Sequence, residues 1–358
     1  MTTATSRRTG FHSLAVAGVQ RLTDDSVAVT FDVPPELVEL YAFLPGQSLT
    51  LRRLVDGRDE RRSYSICAAV GELPRVGVRE VPGGLFSSWL VNDVRPGDLV
   101  DVAAPTGNFT PDLAAGGHHV LVAAGSGITP VLSIAASLLK NPEVSVTVLY
   151  GNRRTGTVMF ADDLADLKDR YPARLELVHV LSREPREAEL FTGRLDAEKL
   201  EKLFSVLLPV PEVAHWWLCG PFGMVTGAQE VLAGLGVPDE RVHQELFYVD
   251  DLPPEPVRHE EPGVVGASSE VTLVLDGRST TMTLSRSLSV LDGAQRFRPD
   301  LPFACKGGVC GTCRAKVCGG EVDMRRNFAL EKSEVEAGFV LTCQSMPVSD
   351  AVTVDFDA

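Results

Sequence analysis

Near its C-terminus the chain reads Cys305-Lys-Gly-Gly-Val-Cys310-Gly-Thr-Cys313, and a fourth cysteine, Cys343, follows thirty residues later. This C-x4-C-x2-C…C spacing constrains the fold strongly: one tight loop must supply three thiolates and a distant strand the fourth. It is the pattern of a plant-type [2Fe–2S] cluster, with Cys305, Cys310, Cys313 and Cys343 as ligands. Gly307, Gly308 and Gly311 let the loop wrap closely and leave backbone N–H groups free to point at sulfur. A zinc knuckle and a pair of disulfides are the alternatives. Zinc sites usually pair two short Cys/His hooks, whereas here three cysteines share one glycine-rich loop and one stands alone. A cluster of this kind carries one electron at a time, so the rest of the chain is expected to supply electrons.

The chain has 358 residues, room for two or three domains. Its 44% hydrophobic and 23% charged content is that of a water-soluble globular protein. No apolar run approaches the ~18 residues that span a bilayer, so no membrane association is expected. Two arginines near the start, Arg7 and Arg8, have no apolar core after them, unlike a signal peptide. Seven cysteines, four of them in the cluster pattern, fit a reducing cytoplasm better than a disulfide framework. Cys67 and Cys318 are expected to be inert packing cysteines. A net charge of −14 argues against nucleic acid as a partner, because phosphate contacts need a basic face. From Ser268 onward there are 12 acidic and 10 basic residues, a net of −2, so the negative charge lies elsewhere in the chain.

Three regions and a linker are visible. Over 8–114, short apolar-alternating runs separated by Gly/Pro/Asp turns predict a small antiparallel β-barrel. Over 115–248, buried strands at Val120–Ala124, Val144–Tyr150, Leu175–Leu181 and Trp216–Cys219 alternate with helical patterns, which predicts a parallel α/β sheet. The stretch 249–267, with four prolines between Asp250 and Gly263, reads as a semi-rigid acidic tether. Over 268–358 a hairpin turned by Asp276-Gly277 precedes a short helix (Val290 to Phe297), the cysteine loop and two more strands.

The motifs before the cluster supply its electron source. Arg62-Ser-Tyr64-Ser65 places a cation, a ring and a hydroxyl on one strand, with Arg62 and Tyr64 on the same face. That suits a flavin, the ring packing on the isoalloxazine and the guanidinium pairing with pyrophosphate; a plain surface strand is the alternative. Val78-Arg79 and then Gly83-Gly84-Leu-Phe86-Ser87 offer backbone amides and a helix N-terminus for the flavin's phosphates. After the first buried strand of the second region comes Gly125-Ser-Gly127-Ile-Thr129-Pro130, with Pro130 expected at the first helical position. Strand, glycine turn and helix start suit a dinucleotide pyrophosphate, although two glycines after a strand are also a common turn. Ser182-Arg183 and Arg153-Arg154 follow two of the central strands, where a hydroxyl and a guanidinium suit a 2′-phosphate. The alternative is a solvated strand end. Cys219-Gly220-Pro221 ends the last buried strand, where Cys219 packs beside a nicotinamide or simply as a small buried hydrophobe.

In this order the motifs resemble the ferredoxin–NADP reductase superfamily, in its arrangement with a C-terminal plant-type ferredoxin domain. R-x-Y-S, G-x-G-x-T-P and C-G-P match Arg62–Ser65, Gly125–Pro130 and Cys219–Pro221, and the resemblance runs from about Phe11 to the end. It implies FAD in the barrel with Tyr64 and Ser65 at its ring, and Thr129 and Cys219 near the hydride path. It also implies NADPH, or NADH, in the α/β domain with Ser182 and Arg183 at the 2′-phosphate, and a β-grasp-like α+β ferredoxin domain. Glu245 and Phe247 match the module-ending Glu-x-Phe, and Glu245 is counted with Cys219 and Thr129 as catalytic. Phe11-His-Ser-Leu14, Tyr150-Gly-Asn-Arg153, Ala304–Cys310 and Val354-Asp-Phe-Asp-Ala358 are similar to the reductase subunits of bacterial phenylacetyl-CoA epoxidases. Reductases of ketosteroid 9α-hydroxylases and ring-hydroxylating dioxygenases share the architecture.

The implied function follows from electron counting. NAD(P)H gives two electrons as hydride and the cluster accepts one, so FAD stands between them. The partner that the resemblance implies is an oxygenase component, in the epoxidase case a di-iron enzyme. The contrasting reading, a non-catalytic iron–sulfur redox sensor, would leave the flavin and nucleotide motifs degenerate, and here they are intact.

Overall fold

The computed structural model describes residues 10–248 and 267–358, so the expected tether at 249–267 lies outside the described residues except for Ala267. The first domain is set by its turns. Strands β1 (Phe11–Thr23), β2 (Ser26–Asp32), β3 (Ser48–Val55), β4 (Arg58–Ser65), β5 (Arg75–Arg79) and β6 (Leu99–Ala103) form one antiparallel sheet. Their order is β4-β3-β6-β1-β2-β5. Asp56 and Gly57, both at positive φ (51° and 75°), turn β3 straight into β4; this is the type I′ geometry that matches strand twist. A bridge between Ile66 and Val76 joins the end of β4 to β5 and closes the sheet on itself. Helix α1 (Leu85–Asn92) plugs the barrel, burying Phe86, Leu90 and Val91 among Leu14, Leu49 and Val76. Each such side chain contributes about 1.5–3 kcal/mol.

The second domain is a five-stranded parallel sheet of β7 (Gly117–Ala124), β8 (Val144–Asn152), β9 (Leu175–Leu181), β10 (Val213–Pro221) and β11 (Val242–Tyr248). Its order is β11-β10-β7-β8-β9. Leu121 and Ala123 of β7 face α2 (Ile128–Leu138) and α3 (Ala161–Arg170). Val120 and Val122 face α4 (Ala197–Leu207) and α5 (Phe222–Gly234). Burial on both faces explains why this strand reads as a continuous apolar run rather than an alternating one. Edge strand β11, Val-His-Gln-Glu-Leu-Phe-Tyr, has no such run and gives no strand signal in the sequence. Pro130 is the third residue of α2, not the first helical one, because a 3-10 turn over Gly125–Gly127 starts the helical path earlier. It still lies in the first turn, where its missing N–H costs nothing.

The last domain contains β12 (Ser268–Leu275), β13 (Arg278–Ser285), α6 (Val290–Ala294), β14 (Arg314–Gly319), β15 (Val322–Met324), α7 (Lys332–Glu336), β16 (Phe339–Leu341), β17 (Ser345–Pro347) and β18 (Ala351–Asp355). The main sheet runs β13-β12-β18-β14-β16, with β12 and β18 parallel. Asp276 and Gly277 (φ 53° and 67°) make the expected hairpin turn. α6 stops at Ala294, short of the expected Phe297; Arg298, which precedes Pro299, is biased out of helical backbone. Cys67 is buried, whereas Cys318 is exposed on β14 and does not pack as expected.

Candidate redox site

The cysteine loop is stitched to the strand of its fourth member from both sides. Thr342 Oγ1 donates to the Cys313 carbonyl (2.9 Å) and Gln344 Nε2 to the Lys306 carbonyl (2.8 Å), so the residues flanking Cys343 both bind the loop. Lys306, Gly308 and Gly311 take positive φ (52°, 79° and 67°), which curls the backbone inward. The amides of Gly307 and Cys310 then point at Cys305 Sγ, 3.3 and 3.4 Å away. Hydrogen bonds from the Cys310 side chain and from these amides hold the Cys305 thiol down, to about 6, despite its burial. The thiols fall into two pairs, Cys305 with Cys310 and Cys313 with Cys343. Two thiolates per iron is the donor set of a [2Fe–2S] cluster. Among the described residues no three Cys, His, Asp or Glu side chains gather as a single metal ion would require. The paired thiols and the backbone amides aimed at Cys305 Sγ fit the two-iron group.

The barrel and the parallel sheet meet at the point where strand order reverses, between β7 and β10, the usual ligand crevice of such sheets. Gly127 lies against the end of β10, and a Cβ there would stand 2.1 Å from the Cys219 carbonyl oxygen. Only glycine permits that approach. Gly125, at φ 56°, faces the Arg79 guanidinium and has its carbonyl held by the Tyr150 hydroxyl at 2.9 Å. Gly220 is crowded too, though less so, its notional Cβ 2.8 Å from the Met224 side chain and 3.2 Å from the Ala124 nitrogen. The helix start after Gly125 carries no side-chain cap, so its first amides are open to an anion. Thr129 is buried; its hydroxyl donates to the Ser126 carbonyl (3.0 Å) and its methyl abuts Gly77 of β5. It thus sits at the seam of the two domains.

Three groups from three strands converge here. Cys219 of β10 is paired in register with Glu245 of β11, and Ser65 of β4 donates to Glu245 Oε2 at 3.1 Å. Burial raises the Glu245 carboxyl to about 7, opposed by the Ser65 hydrogen bond. Burial, then the Glu245 charge, raises the Cys219 thiol well above its ordinary value. Phe247 packs against the α2 face of the sheet. On β4, Arg62 and Tyr64 share a face as expected. Tyr64 leans on Phe86 with ring centroids 6.1 Å apart, and Arg62 pairs with Glu60 at 3.3 Å. The Val78 and Phe86 side chains are buried in the barrel core, so these two offer only backbone to a ligand, while Ser87 Oγ accepts from the Val81 amide (3.0 Å) and keeps its hydroxyl proton to donate. Gly83 turns the chain at φ 74° into α1, whose N-cap, Gly84, leaves the first-turn amides without a side-chain cap. An FAD pyrophosphate fits that open terminus.

At the far side of the crevice, Ser182 and Arg183 donate their backbone amides to the Asn152 and Arg153 carbonyls (2.9 and 2.8 Å). This brings the ends of β8 and β9 together, and Arg153, Arg154 and Arg183 are all exposed there. Sequence reasoning missed the residues that seat the last domain. Ser63 Oγ lies 3.1 Å from Thr312 Oγ1 in the cysteine loop, and Asn108 Nδ2 donates to Glu334 (2.7 Å). His243 pairs with Glu331 at 3.3 Å, and Phe328 packs edge-on to Phe222. Strand alternation was the available signal for Ser63, which must face away from Tyr64.

Comparison with known proteins finds three matching regions. Family models match residues 13–110 as an oxidoreductase FAD-binding domain, 121–230 as an oxidoreductase NAD-binding domain and 273–348 as a 2Fe-2S iron-sulfur cluster binding domain. The chain is 43% identical over 356 residues to a subunit of the 1,2-phenylacetyl-CoA epoxidase of Escherichia coli (strain K12), covering 98% of this chain and 99% of that protein. It is 32% identical to the ferredoxin reductase component of 3-ketosteroid-9-alpha-monooxygenase from Rhodococcus rhodochrous, with 96% of each chain covered. Phthalate dioxygenase reductase, solved as a modular electron-transfer structure, has the same fold, with a TM-score of 0.60 over 97% of this chain and 98% of that one at 24% identity. Among the described residues no helix is long and apolar enough to cross a membrane.

Proposed function

Because the chain belongs to the ferredoxin–NADP reductase superfamily, as an FAD- and [2Fe–2S]-containing reductase of the kind that serves oxygenases, we propose that it powers a di-iron phenylacetyl-CoA epoxidase with electrons from NADPH. The observation that carries the reading is end-to-end similarity to a phenylacetyl-CoA epoxidase component, at 43% identity. The FAD, nucleotide and cluster domains make the protein an NAD(P)H-dependent oxidoreductase. FAD supplies the chemistry that turns one hydride into two single electrons.

The chain's own residues bind and orient. Arg62 and the open first turn of α1 hold the flavin pyrophosphate, and Tyr64 lies against its ring. The Gly125–Gly127 turn receives the nucleotide pyrophosphate, and Gly127 and Gly220 keep Cys219 close enough to pack beside a nicotinamide. Ser65 and Glu245 form a half-buried hydrogen-bonded pair that holds or releases a proton at Glu245 Oε2 near neutral pH. Ser182 and Arg183, at the joined ends of β8 and β9, take the 2′-phosphate. Cys305, Cys310, Cys313 and Cys343 hold the cluster.

Purified holoprotein mixed with NADPH should lose flavin absorbance, then reduce its cluster, and should support epoxidation of phenylacetyl-CoA only when the di-iron component is present. Flavin bleaching without coupling to that component, but with coupling to a ketosteroid hydroxylase, would overturn the epoxidase assignment and leave the reductase standing.

A further inference from the structure

Arg61 of β4 is a buried cation on the side of the strand opposite Arg62 and Tyr64, and it is among the most fully engaged side chains in the molecule. Only 5% exposed, it forks onto Asp59 through Nε (3.0 Å) and Nη2 (2.7 Å). Its Nη1 donates to the Leu301 carbonyl (3.2 Å) and Nη2 approaches the Pro299 carbonyl (3.5 Å), both in the cluster domain. The guanidinium also lies 4.0 Å from the ring centre of Phe303, in the cluster domain, and 4.9 Å from that of Phe11, in the barrel. Edges to oxygen and faces to rings is the full use of a planar guanidinium, and lysine cannot reproduce it.

The position on β4 gives this contact a direction. Arg62 and Tyr64 point to one side of the strand, while Arg61 and Ser63 point to the other. Ser63 meets Thr312, which lies between cluster ligands Cys310 and Cys313. One strand therefore carries the candidate flavin contacts and the cluster-domain contacts on alternate residues.

We propose that Arg61 is the positioning residue that seats the [2Fe–2S] domain on the barrel, so that electrons cross from the reduced flavin to the cluster at the Ser63–Thr312 contact. The inference rests on the FAD and cluster domains, not on the identity of the oxygenase. Each crossing removes one electron from the reduced flavin and lowers the cluster's charge by one; the second crossing follows once the cluster has passed the first electron to the oxygenase component, so two crossings consume one hydride equivalent and its single proton leaves to solvent. Removing the guanidinium strands the Leu301 carbonyl and the Asp59 carboxylate, and loss of a charge-assisted hydrogen bond shifts a docking equilibrium roughly ten- to hundred-fold.

The test uses the full-length holoprotein with Arg61→Ala and Arg61→Lys, read by stopped-flow absorbance and by small-angle X-ray scattering. In Arg61→Ala, flavin-to-cluster transfer should slow about ten-fold or more and the radius of gyration should rise. Flavin reduction by NADPH and direct flavin oxidation by ferricyanide should keep their rates. Arg61→Lys, which keeps the charge and stem but loses the fork, should fall between on both measures. Unchanged transfer and unchanged dimensions in Arg61→Ala would overturn the proposal, and so would a loss of NADPH-to-flavin rate equal to the loss of transfer. If Arg61→Ala does not retain flavin, Arg61→Lys decides alone: wild-type transfer together with wild-type dimensions refutes it.

Discussion

Replacing Glu245 by glutamine should stabilise the FAD-loaded protein in a way that grows with pH. Burial lifts this carboxyl from an ordinary 4.5 to about 7. Below about pH 4.5 the group is neutral in the folded and the unfolded chain, and it costs nothing. Between about 4.5 and 7 the unfolded chain ionises it while the folded chain does not, so stability falls as pH rises. Above about 7 both forms are charged and the full penalty stays constant. At about 1.36 kcal/mol per pKa unit the gap is worth at most about 3.4 kcal/mol. The residue opens partly to the crevice, and solvent there reduces the penalty, so we expect about 1–3 kcal/mol. Glutamine keeps the shape, accepts from Ser65 and cannot ionise. Thermal melts of wild type and Glu245→Gln from pH 4 to pH 8 should therefore coincide at the acid end and separate by several degrees above pH 7. The same variant should flatten any pH dependence of NADPH-driven flavin reduction near neutrality. Parallel melting curves at every pH would show that Glu245 is not a raised, buried acid and would remove it from the proton-holding role.

Three further outcomes are expected. Cys310→Ser or Cys343→Ser should abolish the visible cluster spectrum while FAD stays bound and NADPH oxidation by a direct flavin acceptor persists; loss of flavin in the same variant would refute the separation of the sites. Arg183→Ala should raise the KM for NADPH roughly ten- to hundred-fold and leave NADH nearly unchanged, and an equal loss for both nucleotides would move the 2′-phosphate contact to Arg153 or Arg154. Gly127→Ala should slow NADPH-dependent flavin reduction about a hundred-fold, since a Cβ 2.1 Å from the Cys219 carbonyl forces the turn away from β10 and small misplacements are costly. Wild-type rates would show that the turn does not position the nucleotide.

Motifs that depend on local backbone were legible in the sequence. The cysteine spacing, the Asp276-Gly277 hairpin and the strand–glycine–helix turn at Gly125 each specify their own geometry within a few residues. The parallel strands were legible because burial on both faces leaves an unbroken apolar run, as in Val120–Ala124. β11 was not, since an edge strand alternating His243, Glu245 and Phe247 with other side chains carries no such run; Glu245 was found only through a motif. The Asp56-Gly57 turn carried the same signal as Asp276-Gly277 and went unread between charged flanks. Contacts between domains were illegible for a different reason. Nothing local marks Arg61 as buried, because its partners Leu301 and Phe303 lie about two-thirds of the chain away.

The seating of the cluster domain also bears on why a chain with this net charge can hold it in place. With the negative charge concentrated elsewhere in the chain and only −2 from Ser268 onward, long-range attraction between the parts is weak, and salt screens what remains over about 8–10 Å. The seat must then come from short-range contacts, and those found are of that kind. A buried guanidinium lies between two phenylalanine rings, Ser63 meets Thr312, and Phe328 meets Phe222 beside the His243–Glu331 pair. Arg61 is buried and most of the others are half-buried contacts between uncharged groups, on which ionic strength has little grip. Transfer from flavin to cluster within the chain should accordingly change little between low and physiological salt. Reduction of a separate oxygenase, which begins with diffusional encounter of two charged surfaces, is the step in which salt dependence belongs.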